Sequence, residues 1–247
     1  MWTRYSSGRI TAAEGDLEVR PSFASTPKRP VIFFHGAAEW GDGWMGVPTR
    51  WPVMRAPSDA GLIMVAADLG GRTAGTNNGA QTWGNDTAQS RITAVYNAVQ
   101  STPGVTTGKA LLMAQSMGFL NAIIWAKNNP DKVAAVVGFF GVINLTDVHA
   151  TPGGYDTLIN TAYGEAYTEA KFGATRNPLT MARNGAIPAI PIQFWYGLDD
   201  LLCKPQFARE FVALTGAEGK PIDGGHTEAA VSNIDPAQIS SFLLRHA

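Results

Sequence analysis

The sequence is poor in cysteine and in charge. Its 247 residues include one cysteine, Cys203, and 16% charged residues with a net charge of −1. A single cysteine excludes an internal disulfide, and we expect Cys203 to be a buried apolar side chain. The near-neutral balance argues against recognition of nucleic acid or of an anionic membrane through bulk charge. The expected ligand is therefore small and weakly charged.

Several other signals are also absent from the sequence. There is no apolar run of about 18 residues, which a membrane-spanning helix would need. Residues 1–20 lack the apolar core of a secretory signal. We find no H-E-x-x-H pair, no cysteine cluster and no glycine-rich phosphate or dinucleotide loop, so no metal and no other cofactor is expected. The sequence predicts a soluble protein and leaves its compartment open, either the cytoplasm or an extracellular or virion assembly.

Apolar runs alternate with segments of helical periodicity along the chain. The runs that predict buried strands are 31–36, 62–68, 109–115, 133–143 and 190–197. The segments that predict helices are 47–60, 85–100, 118–129, 206–214 and 235–246. Strands without polar alternation indicate a parallel sheet covered on both faces. The predicted fold class is α/β, with a mostly parallel central sheet of about eight strands, helices on both faces and antiparallel edge strands from the residues before Pro30.

The chain is predicted to form one domain, residues 1–247, because no linker or repeat divides it. Residues 146–188 interrupt the alternation, since they are rich in Gly, Thr, Ala and Tyr and have weak helical periodicity. They predict a small cap inserted between two late strands. The cap's aromatic residues either cover a pocket or form the cap's own core; they are Tyr155, Tyr163, Tyr167 and Phe172.

A reactive serine is suggested by the stretch LLMAQSMGFL, residues 111–120. A predicted strand ends at Ser116 and a predicted helix begins directly after it. Ala114 and Gly118 are the small residues that a sharp strand-to-helix turn needs on either side of an exposed nucleophile. The pentapeptide alone is a weak signal, because alanine and glycine are common in this chain.

Polar residues follow other predicted strands, and ligands bind at these strand ends in an open α/β sheet. His35 follows the first strand, Asp68 the second, Asp200 the last long one, and His226 the final short segment 219–223. We expect His35 to brace its loop by hydrogen bonding and Asp68 to cap a turn. A serine hydroxyl becomes a nucleophile when an imidazole takes its proton, and the imidazole needs a carboxylate to orient it.

The order of serine, acid and histidine resembles that of the α/β-hydrolase family, and the likeness covers nearly the whole chain. It is strengthened by the His-Gly pair after the first strand, by Gly197-x-x-Asp200 and by the glycine before His226. The resemblance implies that Ser116 is the nucleophile and His226 the base. It favours Asp200 as the acid, while Asp199 and Asp147 stay open as alternatives.

The resemblance also implies an oxyanion hole and a neighbouring acyl pocket. The oxyanion donors would be the backbone N–H groups of Ala37 and Met117. Trp40, Trp44 and Met45 lie beside the oxyanion loop in the sequence, where they either line the acyl pocket or serve ordinary packing.

The predicted function is a carboxylesterase-like serine hydrolase that cleaves a small-molecule ester through an acyl-enzyme intermediate. The short insertion argues against a lipase with a large mobile lid. Alternatives are an acyltransferase or perhydrolase that uses the same triad, and a binding or receptor-engaging protein, for example a phage tail component, that retains the fold. The sequence does not indicate the acyl chain length, the alcohol or the oligomeric state.

Overall fold

The structure is a computed structural model that describes residues 10–12, 15–20, 27–39, 47–67, 69, 81–101, 105–152 and 154–247. Its strands are β1 (Ile10–Ala12), β2 (Gly15–Arg20), β3 (Val31–Phe34), β4 (Met64–Ala67), β5 (Ala110–Gln115), β6 (Val133–Phe139), β7 (Ile192–Gly197) and β8 (Glu218–Ile222). Its helices are α1 (Trp51–Asp59), α2 (Asp86–Val99), α3 (Met117–Asn128), α4 (Leu145–Ala150), α5 (Asp156–Tyr163), α6 (Glu169–Arg176), α7 (Pro178–Arg183), α8 (Pro205–Thr215), α9 (Glu228–Val231) and α10 (Pro236–Arg245).

Within the described residues, eight strands form one sheet in the order β1-β2-β4-β3-β5-β6-β7-β8. Strands β3 to β8 are all parallel, whereas β1 and β2 pair antiparallel at one edge. Phe34 at the end of β3 lies opposite Ala114 near the end of β5. The loops that follow these two strands therefore leave the sheet at the same edge. The predicted α/β class and mostly parallel sheet are confirmed.

Alternate side chains of the central strands pack on opposite faces of the sheet. Val31 and Phe33 belong to a core that includes residues of α1 and α10, whereas Ile32 and Phe34 belong to a second core with α2, α3 and α8. Every residue of β3 is fully buried. Burial on both faces explains why these strands read as continuous apolar runs in the sequence.

Helix α3 is buried around most of its circumference, because residues 117–126 are all buried. Phe119 faces the sheet, and Met117, Leu120 and Ile124 pack against a third core formed with helices α4, α5 and α7. None of the helices in the described ranges has the length and apolar character needed to cross a membrane.

The structure differs from the predicted secondary structure in one segment and assigns a second segment that the sequence left without a clear pattern. The run predicted as a strand over 133–143 leaves the sheet after Phe139, because Phe140 adopts a positive φ of 47°. The segment around Gly219 and Pro221 is an edge strand, β8, whose glycine and proline hide it from sequence patterns. Helices α4 to α7 occupy the weakly periodic region between β6 and β7, and a separate cap over 146–188 stays a prediction.

Helices α4, α6 and α7 are held together by one carboxylate. Glu169 accepts hydrogen bonds from Tyr167 Oη at 2.9 Å and Asn177 Nδ2 at 2.9 Å, and also from the hydroxyls of Thr146 and Thr180. Burial raises the pKa of Glu169, but these hydrogen bonds outweigh burial and hold the pKa below its ordinary value. The ionised form therefore stabilises the folded chain.

We expect Glu169→Gln to lower the free energy of unfolding at pH 7 by about 1–3 kcal/mol, because an amide nitrogen would face groups that donate to a carboxylate. The native contribution is complete above the ordinary glutamate pKa of about 4.3 and is lost as the pH falls through the lower folded-state pKa. Denaturant unfolding at pH 7 and pH 3.5 measures this difference, which should shrink at the lower pH. The control is Glu165→Gln, which removes an exposed pair with Lys171; an equal loss for both variants would contradict the prediction.

Candidate active site

Ser116 occupies a strained turn between β5 and α3. Its φ of 51° and ψ of −119° lie in a region that non-glycine residues rarely adopt, at a cost of about 1–3 kcal/mol. Three backbone hydrogen bonds hold the turn: Ser116 N donates to Phe139 O (3.0 Å), and Ser116 O accepts from Phe119 N (3.0 Å) and Val142 N (3.1 Å). The turn places Ser116 at the carboxyl end of the central strand β5.

Gly118 lets the start of α3 approach the end of β3. A Cβ atom at this position would lie 2.3 Å from the backbone oxygen of Phe34 and 2.6 Å from that of His35. These are backbone atoms and cannot move aside as a flexible side chain could. A glycine two residues after Ser116 is therefore a steric requirement of this turn.

Ser116, His226 and Asp200 form a continuous chain of hydrogen bonds. Ser116 Oγ lies 3.1 Å from His226 Nε2, and His226 Nδ1 lies 2.9 Å from Asp200 Oδ2. When Nδ1 carries the proton and donates a hydrogen bond to the carboxylate, Nε2 has no proton and can accept the one from the serine hydroxyl. This geometry matches what activation of a serine hydroxyl requires.

The Asp200 carboxylate is fixed by backbone donors on its other side. Its Oδ1 accepts hydrogen bonds from Leu202 N at 2.9 Å and Cys203 N at 2.7 Å, and the residue is 1% exposed. These bonds satisfy a buried charge and prevent the carboxylate from rotating. Asp200 can therefore hold the imidazole of His226 in one orientation.

The other two candidate acids lie in different surroundings. Asp199 is exposed, and its backbone N–H donates to Gly224 O at 3.0 Å. Asp147 Oδ1 accepts from Lys204 Nζ at 2.8 Å. Of the three acids, Asp200 is the one that the structure places against His226.

The acid and histidine loops contact each other through their backbones. A Cβ atom at Gly197, the last residue of β7, would lie 2.5 Å from Gly224 O. The close approach of Gly197 to the backbone of Gly224 brings the loops after β7 and β8 together, so that Asp200 and His226 are neighbours. Gly197 in the Gly-x-x-Asp motif therefore has a steric role.

Cys203 lies close to the acid and the histidine. Asp200, Cys203 and His226 each offer a metal-ligand atom, and these atoms lie within 4.8 Å of one another. Burial, and then the charges of Asp200 and Asp147, raise the pKa of Cys203 well above its ordinary value. The thiol therefore stays protonated, and both Asp200 oxygens already accept hydrogen bonds. The set fits a hydrogen-bonded triad better than a metal centre.

His35 fixes the loop that carries the predicted oxyanion donor. Its Nε2 accepts a hydrogen bond from Leu69 N at 3.1 Å, so Nδ1 carries the proton and donates to Gly36 O at 2.7 Å. Gly36 C=O and Ala37 N–H belong to one planar peptide unit. Fixing this oxygen therefore also fixes the direction of the Ala37 N–H, which agrees with the bracing role expected for His35.

The second predicted donor is the N–H of Met117, the first residue of α3. The first N–H groups of a helix have no acceptor within the helix, and they carry the positive end of its dipole. Met117 directly follows the serine, so its amide is available next to the nucleophile.

A cavity of about 160 Å³ opens beside Ser116. Its described lining is largely polar and includes the charged side chains Glu39, Arg50 and Glu228, together with Gln115. The aromatic side chains of Phe140 and Tyr155 also line the cavity, and the Phe140 ring lies 5.8 Å from the ring of His226. The cavity therefore offers the serine a small site with several hydrogen-bonding groups.

No family model and no curated protein matches this chain. Solved structures match it over almost the whole of this chain. A fluorophosphonate-binding serine hydrolase F of Staphylococcus aureus aligns with a TM-score of 0.73 at 16% identity, covering 93% of this chain and 92% of that one. The chain has the α/β-hydrolase fold.

Two further α/β-hydrolase structures show similar agreement. An S-formylglutathione hydrolase from Agrobacterium tumefaciens aligns with a TM-score of 0.68 at 13% identity, over 97% of this chain and 99% of that chain. The protein Est1E from Butyrivibrio proteoclasticus aligns with a TM-score of 0.67 at 14% identity, over 94% of each chain.

Several residues predicted for the site of this α/β-hydrolase fold lie outside the part of the chain that the structure describes. They are Trp40, Trp44 and Met45; Asp68, which is predicted to cap a turn, also lies outside. Cys203 is buried as expected.

The charged cavity residues were missed by sequence reasoning. Glu39 and Glu228 lie close in sequence to the His-Gly pair and to His226, which is a signal that could have identified them. Arg50 is far from every motif, and nothing in its sequence context indicates a position beside the serine.

Proposed function

We propose that this protein is a serine hydrolase that cleaves a carboxylic ester through an acyl-enzyme intermediate. The observation that carries the proposal is the chain of hydrogen bonds from Ser116 Oγ through His226 to the buried carboxylate of Asp200. It supplies a nucleophile, a base and an orienting charge in contact with one another and beside a cavity.

In the proposed acylation step, Ser116 Oγ forms a bond to the ester carbonyl carbon while its proton passes to His226 Nε2. The carbonyl oxygen becomes an oxyanion, which the N–H groups of Ala37 and Met117 stabilise. The C–O bond to the alcohol then breaks, and His226 returns the proton to the leaving oxygen. The acyl group is left on Ser116 as an ester.

In deacylation a water molecule replaces the alcohol. His226 takes a proton from this water, which attacks the acyl carbon, and then returns the proton to Ser116 Oγ as the carboxylic acid departs. Asp200 stays ionised throughout and stabilises the imidazolium that forms in each step. The names of the structural neighbours, which are hydrolases and esterases, agree with this chemistry.

The proposal is tested with short p-nitrophenyl esters, such as the acetate and butyrate, and with a fluorophosphonate probe. Short acyl groups suit a cavity of about 160 Å³. We expect ester turnover and a single covalent label, which peptide mass spectrometry should locate on Ser116. Ser90→Ala, at an exposed position of α2, serves as the control and should be labelled like the unaltered protein.

A protein with no ester turnover and no label on Ser116 would not be a serine hydrolase. That result would favour the alternative of a binding or receptor-engaging protein. If turnover is found, product analysis with added alcohols or hydrogen peroxide separates a hydrolase from an acyltransferase or a perhydrolase, because the acceptor then appears in the product.

A further inference from the structure

Arg50 connects two loops that meet at the cavity beside Ser116. It ends a short 3-10 turn, Pro48–Arg50, directly before α1. Arg50 Nη1 donates to Glu39 Oε1 at 2.8 Å, Arg50 Nε donates to Glu228 Oε2 at 3.0 Å, and Arg50 Nη2 donates to Glu228 Oε1. The guanidinium thus binds one carboxylate from each loop.

Glu39 contacts the oxyanion loop, which is the segment after β3 that contains Ala37. Glu39 Oε2 accepts a hydrogen bond from Gly36 N at 3.3 Å, while its other oxygen binds Arg50. Gly36 directly precedes Ala37, the proposed oxyanion donor, and Ala38 after it has a positive φ of 58°. A strained loop of this kind needs external contacts to keep its shape.

Glu228 directly follows the histidine loop, which is the segment between β8 and α9 that contains His226. Glu228 is the first residue of α9 and lies two positions after His226. Both of its carboxylate oxygens bind Arg50, and Thr49 Oγ1 adds a hydrogen bond to Oε2 at 3.1 Å. The start of α9, and with it the backbone next to His226, is therefore anchored to Arg50.

The contacts between Arg50 and Glu228 favour the charged forms of both side chains. Burial lowers the pKa of Arg50, but hydrogen bonds and charge attraction from Glu228 and Glu39 raise it overall. The hydrogen bond from Arg50 is the largest influence on the pKa of Glu228 and lowers it. The side chains of Arg50 and Glu39 are 12% and 23% exposed, so water screens their contact less than it screens a surface ion pair, whereas the Glu228 side chain is 47% exposed.

We propose that Arg50 is a positioning residue that holds the oxyanion loop and the histidine loop in one relative geometry during ester cleavage. This inference rests on the proposed function. The planar guanidinium can donate to two carboxylates in two directions at once, which a lysine ammonium on a flexible stem cannot match. In this role Arg50 acts through Glu39 and Glu228.

The test compares Arg50→Met, Arg50→Lys and Arg55→Met in hydrolysis of p-nitrophenyl butyrate. We expect Arg50→Met to lower kcat by about 10- to 100-fold with KM changed less than threefold, since a small displacement of a catalytic group weakens the transition state more than it weakens substrate binding. Arg50→Lys should recover part of the loss. The control Arg55→Met, which removes an exposed contact to Asp59 on α1, should leave both constants unchanged.

Glu39→Gln and Glu228→Gln extend the test and serve if Arg50→Met does not fold. Because both carboxylates act through the same guanidinium, the loss in kcat for the double variant should be smaller than the product of the two single losses. If the unaltered protein is active and Arg50→Met keeps kcat within twofold, or if the two glutamate losses multiply, the inference is wrong. If the unaltered protein itself has no esterase activity, the proposed function fails first.

Discussion

Ser116→Ala is expected to lower kcat for p-nitrophenyl butyrate by about 10⁴- to 10⁶-fold and to abolish fluorophosphonate labelling. The alanine has no oxygen to attack the carbonyl, so no acyl-enzyme forms. The residual rate would come from water attacking an ester that the cavity and the oxyanion donors still bind. The substitution removes one hydrogen bond, that between Ser116 Oγ and His226 Nε2, and the backbone bonds of the turn remain.

Steady-state kinetics and thermal unfolding together check this expectation. The unfolding midpoint should change little, because the change in volume is small and the side chain lies at the cavity. Ser90→Ala controls for nonspecific effects of a serine substitution. A Ser116→Ala protein that is folded and keeps a kcat within tenfold of the original would show that another group is the nucleophile.

Asp200→Asn is expected to lower kcat by about 10⁴-fold while the fold is retained. The reason lies in the two backbone donors, Leu202 N and Cys203 N, which both point at Oδ1. An asparagine would keep its carbonyl oxygen towards these donors and would therefore turn its NH₂ group towards His226 Nδ1. The imidazole would then carry its proton on Nε2, where it could no longer accept the proton of Ser116.

Two matched variants separate this effect from a general loss of negative charge. Asp199→Asn changes the neighbouring exposed acid, and Asp147→Asn changes an acid that pairs with Lys204. Both should keep kcat within about threefold of the original, because Asp199 is exposed and the Asp147 carboxylate pairs with Lys204 and not with His226. A larger loss for either control than for Asp200→Asn would mean that the triad acid has been assigned to the wrong residue.

The parallel sheet could be predicted because β3, β5 and β7 are buried on both faces and therefore have no polar residues in alternation. The turn at Ser116 could also be predicted, since Gly118 is required where α3 approaches the backbone of β3. Strand β8 was harder to recognise because an edge strand tolerates glycine and proline and has only one neighbour to pair with.

The order of the elements and the residue types at the strand ends could be predicted without the structure, because periodicity and turn chemistry are local properties of a chain. The sequence favoured Asp200 but left Asp199 and Asp147 open, since all three are aspartates that follow predicted strands. The tertiary structure decided which carboxylate is buried against His226. It also showed that Arg50 binds both Glu39 and Glu228, because a contact with Glu228, 178 residues away in the chain, depends on how the sheet and helices pack.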